Sequence, residues 1–183
     1  MKKLFLTAAF AAIAMVGVNA QATGVEAGAY VGIPVADASD GSSINLGATV
    51  GYYFEVIEGL KVGGIVGYDH FIGKSGDDVI IGGTTFSTDA VDYGFIPIAA
   101  SAKYNFVPNF FAGLDLGYAI YVGDGEGDGG FYFRPRAGYS TTSFDIYAFF
   151  KGISNKYTTD YGIYSTSVSS TLGSVGVGAA YKF

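Results

Sequence analysis

The chain has 183 residues, with 16 acidic and 10 basic side chains and a formal net charge of −6. It contains no cysteine, which excludes a disulfide framework, and its acidic balance argues against a nucleic-acid partner, which requires clustered Lys and Arg. Half of the residues are hydrophobic, 16% are aromatic and 29 are glycine, a composition that disfavours helices and favours strands.

The first twenty residues have the pattern of a secretory signal. Two lysines precede an apolar run over residues 4–18, and Val18-Asn19-Ala20 places small or apolar residues at a cleavage site. We predict cleavage after Ala20, with Ala22 as the alternative, which makes residues 1–20 a signal peptide and residues 21–183 the mature domain. A retained membrane anchor is disfavoured, because the apolar run is too short to span ~30 Å of hydrocarbon.

Beyond the signal, apolar and polar residues alternate, as in strands with one apolar face. In one such segment Ile44, Leu46 and Val50 share a face, while Asn45 and Thr49 share the other. Eight segments show this alternation, and we predict a strand in each: 25–35, 44–56, 60–72, 93–106, 110–122, 131–140, 144–154 and 172–183.

The predicted connections alternate between short and long. Short ones fall at 57–59, 107–109 and 140–143, and long polar ones at 36–43, 73–92, 123–130 and 155–171. This pattern predicts an all-β fold, a closed eight-stranded antiparallel up-and-down transmembrane β-barrel with both termini at the short turns. In the longest connection, Gly82-Gly83 between two β-prone runs predicts a hairpin that extends the third and fourth strands; a disordered loop is the alternative.

The distribution of charges indicates which face is the lumen. One face of the strands is apolar and carries no charged residue, as lipid contact requires, since a lipid-facing Lys or Arg near the midplane costs about 2 to 4 kcal/mol. A soluble sandwich with the same period remains the alternative, but it would enclose the apolar face and leave the charges in water. The predicted lumen charges are Glu26, Glu55, Lys61, Asp69, Lys103, Asp115, Arg134, Arg136, Asp145, Lys151 and Lys182.

Neighbouring strands suggest how these charges pair. The expected pairs are Glu55 with Lys61, Lys103 with Asp115, and Glu26 with Lys182. Arg134 and Arg136 offer forked donors to Asp69, Asp115 or Asp145. Inward aromatic side chains favour a plugged lumen, whereas inward glycines leave room for a thin water path, so the sequence keeps both alternatives. The inward aromatic residues are Tyr30, Tyr53, Tyr121, Tyr132, Tyr147 and Phe149.

Two prolines and one histidine interrupt the pattern. Pro97 and Pro135 fall inside strands, where each removes a ladder donor, so we expect a bulge or a strand end near them. His70 lies beside Asp69 at the long-connection end of its strand, and no serine follows closely, so the sequence predicts an interfacial residue and no enzyme.

An acidic stretch over residues 123–130 is the one weak metal candidate. Asp124, Glu126 and Asp128 recur as at the start of an EF-hand loop, but Pro135 stands where the closing Glu is required. We predict a solvated acidic tip, with weak calcium binding as the alternative, and no cofactor. Ten of the sixteen acids fall in the long connections, which predicts an anionic rim.

The end of the chain carries a family resemblance. Tyr181 and Phe183 form an aromatic-residue-Phe ending, preceded at every second position by Val175, Val177 and Ala179. With the signal and the eight alternating strands, this resembles the small outer-membrane barrels of Gram-negative bacteria, the OmpA/OmpX-like porin family. The resemblance implies an outer-membrane location and an assembly signal at Tyr181 and Phe183, read by the barrel-assembly machinery. It also implies periplasmic chaperones, outer-membrane lipid and lipopolysaccharide as partners, and a monomer.

Three functions remain open at this point. The leading interpretation is a structural or surface-interaction barrel whose lumen is plugged by charged and aromatic side chains. A narrow porin for small solutes is the alternative, and a lipid-modifying outer-membrane enzyme is the third.

Overall fold

The structure is a computed structural model that describes residues 23–74, 79–81, 84–86, 92–123, 127–160 and 165–183. The predicted signal peptide lies outside these residues. One short helix, α1 (Ala38–Gly41), accompanies the strands. The strands are β1 (Thr23–Ala36), β2 (Ser42–Ile57), β3 (Leu60–Gly73), β4 (Val79–Ile81), β5 (Thr84–Phe86), β6 (Tyr93–Val107), β7 (Phe110–Tyr121), β8 (Gly130–Ser140), β9 (Phe144–Asp160) and β10 (Ser165–Lys182).

Eight of these strands form a closed antiparallel barrel in the order β1-β2-β3-β6-β7-β8-β9-β10. The barrel closes where β10 pairs with β1, in a register that runs from Glu26↔Lys182 to Ala36↔Leu172. The predicted all-β, up-and-down, eight-stranded fold is therefore confirmed. No helix within the described residues is long and apolar enough to cross a membrane.

The two faces of each strand differ as the alternation predicts. In β2, Asn45 and Tyr53 are buried inside the barrel, while Leu46, Val50 and Phe54 are exposed on its outer wall. The polar face is thus enclosed and the apolar face is uncovered. A soluble sandwich has the opposite arrangement, so that alternative is wrong.

Tight turns define the short-turn end of the barrel. Gly59 has a φ of +80°, a conformation that suits glycine, and its N–H donates to Glu55 Oε1 at 2.9 Å. Asn109 has a φ of 130° in the turn between β6 and β7. We call the opposite end, where the longer connections leave the barrel, the long-connection end.

The two strand prolines produce neither a bulge nor a strand end, so that expectation is wrong. Pro97 pairs normally with Ala119 of β7, but the ladder between β6 and β3 skips the two positions between Val66 and Asp69, with no shift of register. Pro135 likewise keeps its pairing with β7 and interrupts only the ladder between β8 and β9. Each proline lacks an N–H, and the result is a local gap in hydrogen bonding on one side of its strand.

Two of the predicted long connections contain strands. Residues 155–171 are mostly paired, because β9 continues to Asp160 and β10 begins at Ser165. This stretch is mostly polar and has no regular apolar face, so it gave no alternation to detect. In the connection over 73–92, β4 and β5 pair as a separate two-stranded sheet and do not lengthen β3 and β6. Gly82 and Gly83 lie outside the described residues.

The fold predicts how the protein behaves in detergent. Refolded into detergent micelles, residues 21–183 should be rich in β-structure and should migrate differently on gels with and without heating, because a closed barrel resists unfolding by detergent. Circular dichroism and unheated electrophoresis measure both properties. A folded monomer that stays in solution without detergent would contradict the barrel's apolar exterior.

Candidate functional site: the charged lumen

Most of the predicted lumen charges lie inside the barrel. Lys182 is partly buried, whereas Glu55 is exposed at the first short turn and Lys61 is intermediate. The buried ones are Glu26, Asp69, Lys103, Asp115, Arg134, Arg136, Asp145 and Lys151. They form three groups along the barrel axis.

The lower cluster lies at the short-turn end and consists of Glu26, Lys103, Asp145 and Lys182. Lys103 Nζ donates to Glu26 Oε1 and to Asp145 Oδ2, the latter at 2.7 Å. Lys182 Nζ donates to Asp145 Oδ1 at 2.9 Å and to Ser140 Oγ at 2.9 Å. Asp145 therefore joins the two lysines, and side chains from β1, β6, β9 and β10 meet across the lumen.

The central cluster is built around Asp115 of β7. Arg134 Nε donates to Asp115 Oδ2 at 2.8 Å, and Ser101 Oγ donates to Asp115 Oδ1. Arg136 Nη2 lies 3.5 Å from Asp115 Oδ1 and donates to Ser101 Oγ at 3.1 Å and to Tyr53 OH at 2.8 Å. Both arginines thus contact Asp115, which is one of the three acids that the sequence suggested as their partners. Sequence reasoning missed the two hydroxyl groups.

The upper cluster lies nearer the long-connection end. Lys151 Nζ donates to Asp69 Oδ1 and to Asn45 Oδ1, the latter at 2.7 Å, and Asn45 Nδ2 donates to Asp69 Oδ1 at 3.0 Å. None of the three side chains is exposed. Asn45 was on the predicted lumen face, but its neutral side chain gave no signal of a role in the network.

The three pairs expected between neighbouring strands are wrong. Glu55 does stand opposite Lys61 in register, and Glu26 opposite Lys182, yet neither pair forms an ion pair among the described residues. Lys103 pairs with Glu26 and Asp145 instead of Asp115. An eight-stranded barrel is narrow enough for long side chains to reach the opposite wall, so adjacency in the sheet does not decide the partner.

Tyrosine rings occupy the space beside inward glycines. A Cβ atom at Gly47 would overlap the ring of Tyr30, and one at Gly178 would lie 2.6 Å from the ring of Tyr147. The ring of Tyr30 also packs under Arg134, whose guanidinium carbon is 5.0 Å from its centroid. At these two positions the glycines make room for aromatic side chains, not for a free path.

An apolar layer lies inside the barrel towards the long-connection end. We call it the outer plug, and its residues are Phe71, Phe95, Tyr132 and Ile153, each at most 1% exposed. Phe71 and Phe95 meet edge to face with centroids 6.2 Å apart, and Ala38 of α1 belongs to the same buried cluster. Sequence reasoning placed Tyr132 in the lumen and missed the other three, although each lies on the lumen face of its strand by simple alternation.

The short-turn end of the barrel contains a cleft. It has a volume of about 770 Å³, with polar and basic side chains on its wall, and it reaches inward to the lower cluster. Its charged lining residues are Glu55, Glu58, Lys61, Lys103 and Lys182. The lining of this cleft is rich in charged and polar residues, whereas the outer plug is apolar.

His70 lies on the outer wall, and its partner is Asp92 instead of the lumen residue Asp69. His70 Nε2 is 3.1 Å from Asp92 Oδ2, and Nδ1 is 3.4 Å from Tyr68 OH. The N–H of Gly73 donates to Asp92 Oδ1 at 2.8 Å, and this bond, followed by the contact with His70, lowers the pKa of Asp92. The sequence distance between His70 and Asp92 concealed this group.

The acidic metal candidate is largely outside the described residues, because Asp124 and Glu126 lie there. Asp128 is exposed, and its backbone carbonyl accepts a hydrogen bond from Asn155 Nδ2 at 2.9 Å. Within the described part of the chain, no group of three acidic or histidine side chains is arranged to hold a metal ion.

The outer wall shows the environment for which the barrel is built. Large apolar side chains are exposed on every barrel strand, including Ile33, Ile98, Ile146 and Val177, each more than half exposed, while most of the charged residues on the barrel strands are buried in the lumen. This is the fold of the small eight-stranded outer-membrane barrels. Such a distribution is stable where the surrounding medium is hydrocarbon.

Comparisons with solved structures give barrels of the same kind. Neisserial surface protein A is 19% identical, with a TM-score of 0.47 over 90% of this chain and 99% of that one. The N-terminal β-barrel domain of Pseudomonas aeruginosa OprF is 15% identical, with a TM-score of 0.45 over 90% of this chain and 100% of that one. A de novo designed transmembrane β-barrel is 13% identical, with a TM-score of 0.49 over 90% and 98%. No protein-family model and no curated protein matches the sequence.

The upper cluster predicts a large effect of a small substitution. Asp69→Asn keeps the shape of the side chain but leaves Lys151 buried without a counter-charge, which should lower the free energy of unfolding by about 3 to 5 kcal/mol. Urea unfolding in detergent or lipid measures the loss. Asp40→Asn makes the same chemical change at an exposed site and should stay within about 0.5 kcal/mol of the wild type. Equal stability of the two variants would show that the ion pair is not needed.

Proposed function

We propose that the protein is a small outer-membrane barrel with a structural or surface-interaction role and a plugged lumen. The observation that carries this proposal is that four groups of packed side chains follow one another along the barrel axis. The lower, central and upper clusters follow one another through the lumen, and the outer plug lies beyond them.

Energetics supports the plug. A solute passing through the barrel has to separate buried ion pairs, and separating one such pair exposes an uncompensated charge at a cost of about 3 to 5 kcal/mol. It also has to displace the aromatic rings of the outer plug, which are packed against one another. The side chains at the short-turn end, by contrast, leave a cleft.

The surface supports the proposed location. Aromatic side chains are exposed around the short-turn end, where a girdle contacts lipid headgroups in barrels of this kind. These residues are Phe54, Tyr104, Phe106, Phe110, Tyr139, Phe144, Tyr181 and Phe183. Export through the predicted signal peptide, with the long connections outside the cell, completes the proposal. Lipopolysaccharide, the assembly machinery and a monomeric state belong to it as well.

The proposal includes no catalytic role. His70 has an acid and a tyrosine hydroxyl as neighbours, but both of its ring nitrogens are directed to them. A hydrolase needs a nucleophile that the histidine can deprotonate, and a tyrosine hydroxyl is not one of the usual nucleophiles of such enzymes.

A narrow pore is the second candidate, because some buried polar atoms lack partners. Among the described residues, Arg134 Nη1, Asp69 Oδ2 and Ser174 Oγ are enclosed in the lumen without a hydrogen bond. Buried polar atoms are nearly always satisfied, by water if not by protein. Hydration of these atoms favours a water path between the clusters.

Conductance separates the two functions. In planar bilayers the wild type should be closed, whereas Arg134→Ala should conduct, because removing one partner opens volume and leaves Asp115 to attract water. Arg136→Ala should act in the same direction. Lys61→Ala removes a positive charge outside the clusters and should stay closed. Stable open channels in the wild type, unchanged in both arginine variants, would refute the plug and favour the pore.

Deleting Phe183 tests the proposed assembly signal. The backbone N–H of Phe183 donates to Val25 O at 2.9 Å. The residue is 74% exposed, and its ring packs on Tyr181 at a centroid distance of 4.7 Å. Because it contributes little buried surface, its removal should leave refolding in detergent nearly unchanged while sharply lowering the amount inserted in cells. Cell-surface labelling and in vitro refolding measure the two effects. Normal surface levels would contradict a recognition role.

A further inference from the structure

The central cluster contains more positive than negative charge. The guanidinium groups of Arg134 and Arg136 contact the single carboxylate of Asp115, which leaves one positive charge in excess. The other buried acids do not balance it, because each is paired with lysine in the lower or the upper cluster. These acids are Glu26, Asp69 and Asp145. The centre of the lumen therefore encloses an unbalanced charge, which is costly in a buried site.

Hydrogen-bond donors in the same part of the lumen lack acceptors. Arg134 Nη1 and Arg136 Nε are buried, and among the described residues neither has a hydrogen-bond partner. The hydroxyl of Tyr132 is buried in the same condition. The three residues occupy successive inward positions of β8 and are 0% (Tyr132), 1% (Arg134) and 6% (Arg136) exposed. Buried polar atoms are nearly always hydrogen-bonded, so these donors fit an acceptor supplied by a ligand.

Tyr132 and Arg134 are placed to share one acceptor. Arg134 is the charged group that acts most strongly on the Tyr132 hydroxyl, so the two groups are neighbours. Arg134 is held in position by its bond from Nε to Asp115 Oδ2 at 2.8 Å, yet its Nη1 forms no hydrogen bond with Tyr132. The remaining oxygen of Asp69, Oδ2, does not bridge them, because it has no hydrogen bond either.

We propose that the lumen binds one chloride ion between Arg134 Nη1 and Tyr132 OH. A halide ion only accepts hydrogen bonds, so it satisfies both donors without adding any, and its single negative charge balances the central cluster. A water molecule would bring hydrogens of its own, which need acceptors, and would leave the charge unbalanced. Arg136 contributes the second positive charge. The ion is a fixed part of the packed lumen, whether the barrel is closed or conducts.

Bromide locates the ion directly, because it replaces chloride and scatters X-rays anomalously. The protein is refolded in detergent with sodium bromide as the only halide salt and then crystallised. Bromide is present from the start of refolding, since the clusters and the outer plug enclose the site once the barrel has closed. One anomalous peak is expected in the lumen, within hydrogen-bond distance of Arg134 Nη1 and Tyr132 OH. Water at that position, or bromide bound only on the protein surface, would overturn the proposal.

The dependence of stability on chloride gives a second measurement. The protein is unfolded in urea from trace to molar chloride, with the ionic strength held constant by sodium gluconate, whose anion is too large for the enclosed site. A ligand that binds only the folded state shifts the equilibrium by mass action. The unfolding equilibrium constant should therefore fall about tenfold for each tenfold rise in chloride above Kd. A constant that does not change over this range would contradict the bound ion.

Arg136→Gln tests the balance of charge. It leaves one arginine for Asp115, so the bromide peak and the chloride dependence should both disappear although Arg134 and Tyr132 are retained. Lys61→Gln is the matched control, because it removes a positive charge outside the clusters and should keep both. Equal chloride dependence in these two variants would overturn the proposal.

Tyr132→Phe tests the hydroxyl alone and keeps the ring in the outer plug, so it remains informative if Arg136→Gln does not fold. The loss of one hydrogen bond to the ion should raise the Kd for chloride about tenfold. An unchanged Kd would show that the ion is not bound at this hydroxyl and would refute the proposed site.

Discussion

The narrow lumen of an eight-stranded barrel is the constraint on which the rest of the structure depends. Side chains that point inward meet those of the opposite wall, so a charge introduced on one strand has to be neutralised by another strand anywhere around the ring. Lys103 of β6 meets Glu26 of β1 and Asp145 of β9 in this way. The contacts of Lys103 therefore tie together strands that share no hydrogen-bonded edge, whereas Arg134 and Asp115 pair directly across the neighbouring strands β8 and β7.

The same constraint explains why the inner and outer faces of the strands carry different residues. Polar residues and aromatic rings fill the interior because volume there is limited, and inward glycines such as Gly47 allow a ring to be accommodated. Apolar residues are left for the outer wall, which reverses the arrangement of a soluble protein. Where that wall carries small residues, as at Ala29 and Ala48, it becomes concave. Interior filling and exterior shape are thus set by the same alternation.

Structural features that depend on local periodicity can be predicted from the sequence. Strand faces, the turns at Gly59 and Asn109, and the inward direction of Asp115 or Lys151 all follow from alternation and turn chemistry. The ion partners of Lys103 and Lys151 do not follow, because they are chosen across the lumen, whereas Asp115 was among the acids expected for Arg134. The extension of β9 and β10 is also hidden, since its backbone pairing involves segments without an apolar face. The contact between His70 and Asp92 could not be predicted either, because it depends on where the long connection between β3 and β6 brings Asp92 back to the barrel.

The ion pairs that bridge distant strands have a consequence for membrane insertion. Glu26 and Lys103 are separated by 77 positions in sequence, and Lys151 and its counter-charge Asp69 by 82 positions. A sheet that has not yet closed would present Lys103 or Lys151 to hydrocarbon without a counter-charge, at about 2 to 4 kcal/mol for each residue. Partly formed intermediates inside the bilayer are therefore costly. Insertion and ring closure become one cooperative event, in which the first and last strands have to meet before the charged residues can leave water.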